Sequence, residues 1–408
     1  MRRLDLDWDS MYQEALEKIK NGDQSAKFGV FNTVVPIEKN RQIYAVRIAR
    51  DVKEYPLNMF LDFPMVKEPY TQMNWLIERL QEGQPLCKIP RIHHVSGQKL
   101  ASNNPNEERS AYAVLDWIPH PTSFTRLSGF AFRGPIPNTL STALDDYTFR
   151  WTQIPVDEVK TPKGWKGSNP KEFALAHSRY AQKRYEKARR GKYGHIFELL
   201  QFPERPFAEV EQGFTTMGNR PPCFIDADRN AGNIAYSGDN PSTIPYFYDL
   251  DGYKIGDLLY GVIANEHRLG IHLLEGELEQ RIERLRERGV DPTYLQSAEQ
   301  DMYIYDRFEL ARNSVTHALI CADKYLKNEK TPVFNHLVDD LNQLRTKIWK
   351  QSELSHEEIH QAFLQFAHEK KREQWLGISP KIDEVVDSGF LTALHDRNHE
   401  LGERSKGA

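Results

Sequence analysis

The period of the apolar positions changes along the chain, and that change is the first guide to its layout. Residues 9–20 place Met11, Ala15, Leu16 and Ile19 on one helical face, with Asp9 or Ser10 as the N-cap and Asn21, Gly22 and Asp23 as the stop. Residues 27–37 and 42–48 are β-rich and flank the polar turn at Glu38 to Arg41, which predicts a hairpin. A helix follows over 65–80 with Trp75, Leu76 and Leu80 facing inward, and then come strands over 89–95 and 112–119, separated by a polar loop over 97–109. From 121 to 170 prolines and glycines interrupt every pattern and no period survives. Long stretches of this kind inside a domain are commonly functional or disordered. The aromatics Phe124, Phe130, Phe132, Phe149, Trp151 and Trp165 favour an ordered insertion. Beyond residue 256 the period is helical over 256–289, 292–328, 333–351 and 356–375, with Ser355 and Glu358 forming a capping box, and 379–408 reads as short helices and a frayed tail.

Composition narrows the class without naming a partner. The 408 residues are 39% hydrophobic and 27% charged, ordinary globular material with length for two lobes. A net charge of −4 and a pI near 6.4 give no drive toward nucleic acid or an anionic membrane. The one basic and aromatic run, 179–193, would offer phosphate contacts and stacking to RNA, but a single helix makes no groove, and a solvated helix face is the expected reading. Cys87, Cys223 and Cys321 are too far apart in sequence to suggest a zinc site or disulfide framework, which fits a reducing cytoplasm. No apolar run has signal-peptide or membrane-spanning character, so a soluble protein is expected.

The chemistry concentrates in two stretches, 223–236 and 246–252. Each reads as a short apolar strand that delivers carboxylates to its end, and the breakers at 237–242 would join the two as a hairpin. Asp228 is followed five residues later by Asn233, and Asp249 comes directly after Tyr246, Phe247 and Tyr248. Magnesium takes hard oxygen ligands, commonly one or two carboxylates plus substrate phosphates, so Asn233 and Asp249 suit it. Asp228 is then free for a substrate hydroxyl. Phosphoryl transfer needs that division, with one carboxylate to orient the nucleophile and a metal to neutralise phosphate charge.

This arrangement resembles the aminoglycoside phosphotransferase and choline kinase group, whose signature is H-G-D-x-x-x-x-N followed by an apolar strand ending in Asp. Here Asp226, Ala227, Asp228, Asn233 and Asp249 fill the pattern, and Gly256-Asp257 matches its usual continuation. The resemblance implies a two-lobed, protein-kinase-like α+β fold. Residues 1–119 would form a small β-rich nucleotide-binding lobe and 120–408 a larger, mostly helical lobe, with 121–170 as an insertion on the substrate side. It implies transfer of the γ-phosphoryl of ATP or GTP to a small-molecule hydroxyl, such as that of an aminoglycoside or amino alcohol, with Mg2+ as cofactor. Asp228 would be catalytic, and Asn233 and Asp249 would bind the metal. Phe28, Gly29, Asn32 and Thr33 would form the turn over the phosphates. Arg47, standing where the fold carries a lysine, would grip phosphate oxygens bidentately, braced by Glu68. Asp116, Trp117 and Ile118 would form the hinge, with backbone groups for the nucleotide base.

The departures from the pattern support a rival, a nucleotide-binding pseudokinase. Asp226 replaces histidine and adds a negative charge that needs a cation or backbone donors nearby. Gly261 stands where a later aspartate is usual, and the loop over the phosphates has a single glycine. Two further readings are a protein kinase of the same fold, disfavoured by missing H-R-D and A-P-E elements, and a D-x-D-G phosphatase built on Asp249, disfavoured by the run of helices that follows. Oligomeric state and the acceptor's identity are not written in the sequence.

Overall fold

The protein is described from a computed structural model, over residues 6–28, 32–49, 70–96, 99–100, 109–110, 112–125, 135–158, 169–250, 253–270, 276–328 and 333–375. The first helix, α1 (Trp8–Lys20), starts earlier than the apolar pattern suggests. Its N-cap is Asp7, whose carboxylate accepts from the Ser10 amide at 2.9 Å, in place of Asp9 or Ser10 themselves. Trp8 is held in the first turn by stacking on His93 and His94, 6.3 and 5.7 Å between centroids.

A five-stranded antiparallel sheet follows, in the order β1 (Lys27–Phe28), β2 (Asn32–Lys39), β3 (Gln42–Ala49), β7 (Tyr112–Asp116) and β4 (Ile92–Val95). The predicted hairpin between β2 and β3 is present. Its two turn residues, Asn40 and Arg41, both adopt positive φ (52° and 64°), the backbone that the twist of tightly joined strands demands. The alternation of the strands then sorts the side chains. Val35, Ile37, Val46, Ile48 and Val114 pack against Met11 and Ala15 of α1. Arg47 falls on the opposite face, toward the second lobe. A small ribbon, β5 (Lys99–Leu100) with β6 (Arg109–Ser110), decorates the loop before β7.

The connector between lobes is short. β7 ends at Asp116, and β8 (Pro121–Ser123) already pairs with β10 (Ile234–Ser237) in the second lobe. A second thread links the lobes alongside it. Lys88, ahead of β4, donates its amide to Pro245 O (2.9 Å) and accepts from the Phe247 amide (2.8 Å). The helix α2 (Tyr70–Leu80) buries Leu76, Ile77 and Leu80 in a middle cluster with the second lobe's Phe224 and Phe247, not with the core under α1.

The stretch 121–170 differs from the expected insertion. Its described part contains α3 (Asn138–Thr152), a core helix whose buried stripe of Leu140, Ala143, Leu144, Tyr147 and Trp151 packs on the strand β9 (Cys223–Asp226). Two acids, Asp145 and Asp146, lie on the buried part of the helix as well and break the apolar count. Arg281 meets Asp145 at 2.7 Å and Arg150 meets Asp146 at 2.7 Å, with Arg284 and Arg288 adding to the pairs. Pro137 supplies no capping side chain to announce the start. Phe130, Phe132 and Trp165 lie outside the described residues.

Apart from the short strands at 223–256 the remainder is helical: α4 (Pro170–Arg190), α5 (Gly194–Leu199) and α6 (Ala208–Phe214), and then, as the period predicts beyond residue 256, α7 (Leu258–Leu269), α8 (Glu277–Glu287), α9 (Ala298–Leu326), α10 (Phe334–Lys347) and α11 (His356–Trp375). The basic run lies on α4, where Phe173, Ala174, Ala181, Tyr185 and Ala188 face the core while Arg179 and Arg190 stand in solvent. The Ser355–Glu358 capping box opens α11, with the Ser355 amide on the Glu358 carboxylate at 2.6 Å. Central to the lobe is α9, 29 residues long and buried on most sides. Among the described residues no helix is long and apolar enough to cross a membrane.

Candidate active site

The hairpin expected between 223–236 and 246–252 forms across the 237–242 breakers, but the first stretch contributes its far end, from Ile234, and not 223–226. β9 pairs with β12 (Tyr253–Gly256), Asp226 opposite Tyr253, while the true hairpin joins β10 to β11 (Tyr246–Phe247). The reason is burial. All four residues of β9 and all four of β12 are buried, so two sealed strands satisfy each other's backbone groups. One loop carries Asp228 and Asn233 from β9 to β10, and another carries Asp249 from β11 toward β12. The Tyr248 amide donates to Asn233 O at 3.2 Å, so the two loops lie side by side.

Asp228 and Asp249 are each 42% exposed at the side chain. Asp249 adopts φ 61°, a left-handed backbone that aspartate tolerates better than most residues and that is enriched at functional sites. Arg47 spans the cleft from β3 and donates to Asp249 Oδ1 at 3.1 Å. Asp228 Oδ1 is held by Arg268 of α7, whose side chain is only 15% exposed. The Asn233 amide nitrogen donates to the Asp228 carbonyl at 2.9 Å. Its side-chain Oδ1, which accepts no hydrogen bond among the described residues, is a ready hard ligand. Among the described residues no group of three or more His, Cys, Asp or Glu side chains gathers for a metal. The donor set here, one exposed carboxylate and one amide oxygen, fits magnesium completed by phosphate oxygens and water.

The cation that Asp226 requires is Arg229. Asp226 and Arg229 are buried to within 1% of complete closure. The guanidinium donates to Asp226 Oδ2 through Nε (3.0 Å) and through one terminal nitrogen, and the other terminal nitrogen reaches Asn233 O (2.9 Å) and Tyr248 O (2.6 Å). Tyr147 of α3 donates its hydroxyl to Asp226 Oδ2 at 2.8 Å, and the Asp228 amide donates to Asp226 Oδ1 at 3.0 Å. Burial alone would raise the Asp226 pKa, but Arg229 and these donors outweigh it and hold the carboxyl below its ordinary range. Asn265 of α7 closes the loop from behind, donating to Asp226 O (2.7 Å) and accepting from the Arg229 amide (2.9 Å). Asp226 is therefore occupied as scaffold. The Gly261 departure also has a steric cause, since a Cβ there would sit 3.0 Å from Ile225 Cβ of β9.

The other predicted residues divide. Asp116, Trp117 and Ile118 line a groove of about 1260 Å3 along the connector, with Pro36, Ile43 and Tyr246 among its other walls; Arg47, Asp228, Asn233 and Asp249 are not among its described lining. The Asp116 amide is already spent on Arg91 O (2.9 Å), so it is not free for a nucleotide base. The Asp116 side chain is engaged too, by the Arg91 amide (3.0 Å) and by His93 (2.6 Å). Thr33 is buried on the α1 face of the sheet with Val35, which directs it away from Arg47 and from any phosphate there. Phe28 and Asn32 border the β1–β2 turn. Gly29 and Glu68 lie outside the described residues. Sequence reasoning missed Arg229, Tyr147, Asn265 and Arg268. Only Arg229 left a trace, an arginine three positions after a carboxylate that needed a cation.

No family model matches the chain, and no curated protein sequence matches it. Solved structures do. Choline kinase LicA from Streptococcus pneumoniae is 12% identical, with a TM-score of 0.45 over 82% of this chain and 99% of that one. A choline/ethanolamine kinase family protein from Mesorhizobium loti is 11% identical, with a TM-score of 0.47 over 87% and 99%. An aminoglycoside 2'-phosphotransferase-IIIa variant in its GDP complex is 12% identical, with a TM-score of 0.42 over 89% and 97%. These structures are of the kinds that the loop motif resembles.

Proposed function

We propose that this chain is a phosphotransferase that moves the γ-phosphoryl group of ATP or GTP onto a hydroxyl of a small molecule. The observation that carries the reading is the contrast among three neighbouring carboxylates. Asp226 is sealed by permanent partners, whereas Asp228 and Asp249 stand open on adjacent loops, Asp249 with an arginine from the opposite lobe on it. Asp228 orients the acceptor hydroxyl and takes its proton as the oxygen attacks. A new O–P bond forms, the bond from the γ-phosphorus to the β,γ-bridging oxygen breaks, and the nucleoside diphosphate leaves with that electron pair. Asn233 and Asp249 would hold Mg2+, which when bound neutralises charge on the phosphates. Arg47 turns from Asp249 to the phosphate oxygens once nucleotide arrives. Amino alcohols and aminoglycosides, the acceptors the resemblance implies, are the first to test. A cytoplasmic location agrees with three cysteines, Cys87, Cys223 and Cys321, that are buried and form no disulfide with one another.

One observation favours a second reading, nucleotide binding without transfer: Arg268 already occupies Asp228 Oδ1. Two measurements separate these. Thermal stability should rise with Mg-ATP or Mg-GTP by mass action under either reading. Labelled γ-phosphate should then pass to one member of a panel of amino alcohols, aminoglycosides and sugars. Stabilisation without transfer to any of them leaves the binding protein, and the absence of any shift with millimolar nucleotide removes both.

A further inference from the structure

The Arg229 guanidinium has five N–H donors in a fixed plane, and it makes five contacts. Two go to Asp226, one to the Tyr147 hydroxyl (3.4 Å), one to Asn233 O on the Asp228 loop and one to Tyr248 O on the Asp249 loop. The rings of Tyr147 and Phe247 lie 5.5 and 5.4 Å from its central carbon, so the plane is packed from the sides as well as bonded at its rim.

We propose that Arg229 is a positioning residue that makes the acceptor-side and metal-side loops one rigid unit, with Asp226 and Tyr147 as its anchor. This inference rests on the phosphotransferase reading for its functional meaning but not for its physical test. The argument is geometric. The Asp228 loop runs from β9 to β10 and the Asp249 loop from β11 toward β12, and the pairing of β10 with β11 and of β9 with β12 brings the two loops together at their ends. Between those paired ends the Tyr248 amide on Asn233 O and the Tyr248 hydroxyl on Gly232 O join the loops, and Arg229 adds the links that also tie both of them to Asp226. Lysine supplies the charge but only three donors around a single point, and it cannot bridge two carbonyls while gripping a carboxylate bidentately.

Arg229→Lys tests this through amide hydrogen exchange read by segment in the full chain. The expected result is faster exchange in 227–234 and in 246–250 together, with α9 and β2–β3 keeping wild-type protection. Transfer, where the wild type shows it, should fall about 10²-fold from displaced reacting groups, with nucleotide affinity changed far less. Loosening of 227–234 alone would overturn the proposal, because the loops would then be independent. Equal loss of protection everywhere would overturn it too, by making Arg229 a general stability residue. If Arg229→Lys does not fold, Tyr147→Phe is read in the same way, since it removes one anchor of the carboxylate and leaves the arginine in place. A wild type that neither binds nucleotide nor transfers phosphate sinks the phosphotransferase reading and leaves the exchange result standing.

Discussion

Asp226 and Asp228 are two residues apart in sequence, and they occupy opposite environments. Asp226 is buried, charged and held by an arginine, a tyrosine and a backbone amide, none of which has a reason to leave. Asp228 is half in solvent and held by an arginine from another helix and, at 3.4 Å, by the Asn230 side-chain amide. Asp249 repeats the second case, with Arg47 as its partner. The difference teaches how to read a carboxylate cluster: the closed carboxylate serves the fold, and the open ones serve a ligand. Breaking a buried pair leaves a stranded charge, whereas breaking an open pair costs the fold little.

The largest effect should come from the open pair and appear in chemistry. Asp228→Asn is expected to lower transfer ~10²–10⁴-fold while Mg-nucleotide binding, measured by titration calorimetry, stays near wild type. Asp249→Asn should weaken both. Transfer at wild-type rate in Asp228→Asn would erase the distinction between the two carboxylates.

The closed carboxylate should register in stability instead. Asp226→Ala strands Arg229 and is expected to cost ~3–5 kcal/mol in urea denaturation. Asp226→His, which restores the residue of the resembled motif, strands the same guanidinium and should also destabilise unless Arg229 is changed with it. A neutral outcome for Asp226→His alone would mean that Arg229 finds other acceptors.

A third measurement uses pH. Burial pushes the Glu266 carboxyl up to about 7 against the pull of Arg281, 3.6 Å away, and among the described residues Glu266 Oε2 has no hydrogen-bond partner. A carboxyl that holds its proton more tightly when folded costs stability as it ionises. The penalty is absent below the unfolded pKa, ~4.3, grows as pH rises toward the folded value of about 7, and is complete above it. Glu266→Gln should therefore raise the melting temperature at pH 8 and change it little at pH 4. Identical shifts at both values would show that Glu266 stays ionised throughout. The smallest effect belongs to the surface: Arg190→Ala breaks an exposed pair with Glu186 and should move stability by at most ~0.5 kcal/mol.

Much of the architecture was legible because it follows from local pattern. The β2–β3 hairpin, the second-half helices and the α11 capping box all advertise themselves within a few residues. α3 did not, because Asp145 and Asp146 sit where its buried stripe should be apolar, and the arginines that meet them, apart from Arg150 in α3 itself, are more than a hundred residues away, in α8 and at its C-cap. The pairing of β9 with β12 was missed for a similar reason. Which of several short apolar strands pair depends on burial in the assembled lobe, and sequence order alone suggested the nearer partner. Asp228, Asn233 and Asp249 do come to adjacent loops, but the arginines around them were invisible. Arg268 lies on a helix forty residues from Asp228, and no spacing rule relates them.

The chain crossing at 117–120 is not what holds the lobes together. Lys88 is tied by backbone hydrogen bonds to Pro245 and Phe247, the Leu86 amide donates to Asp146, Arg150 reaches Leu80 O and Glu82 O, and α2 is packed into the second lobe's core. That side of the first lobe is clamped. The sheet strands β2 and β3 pack under α1 instead, and there the Arg47–Asp249 pair is the latch between the two bodies of side chains.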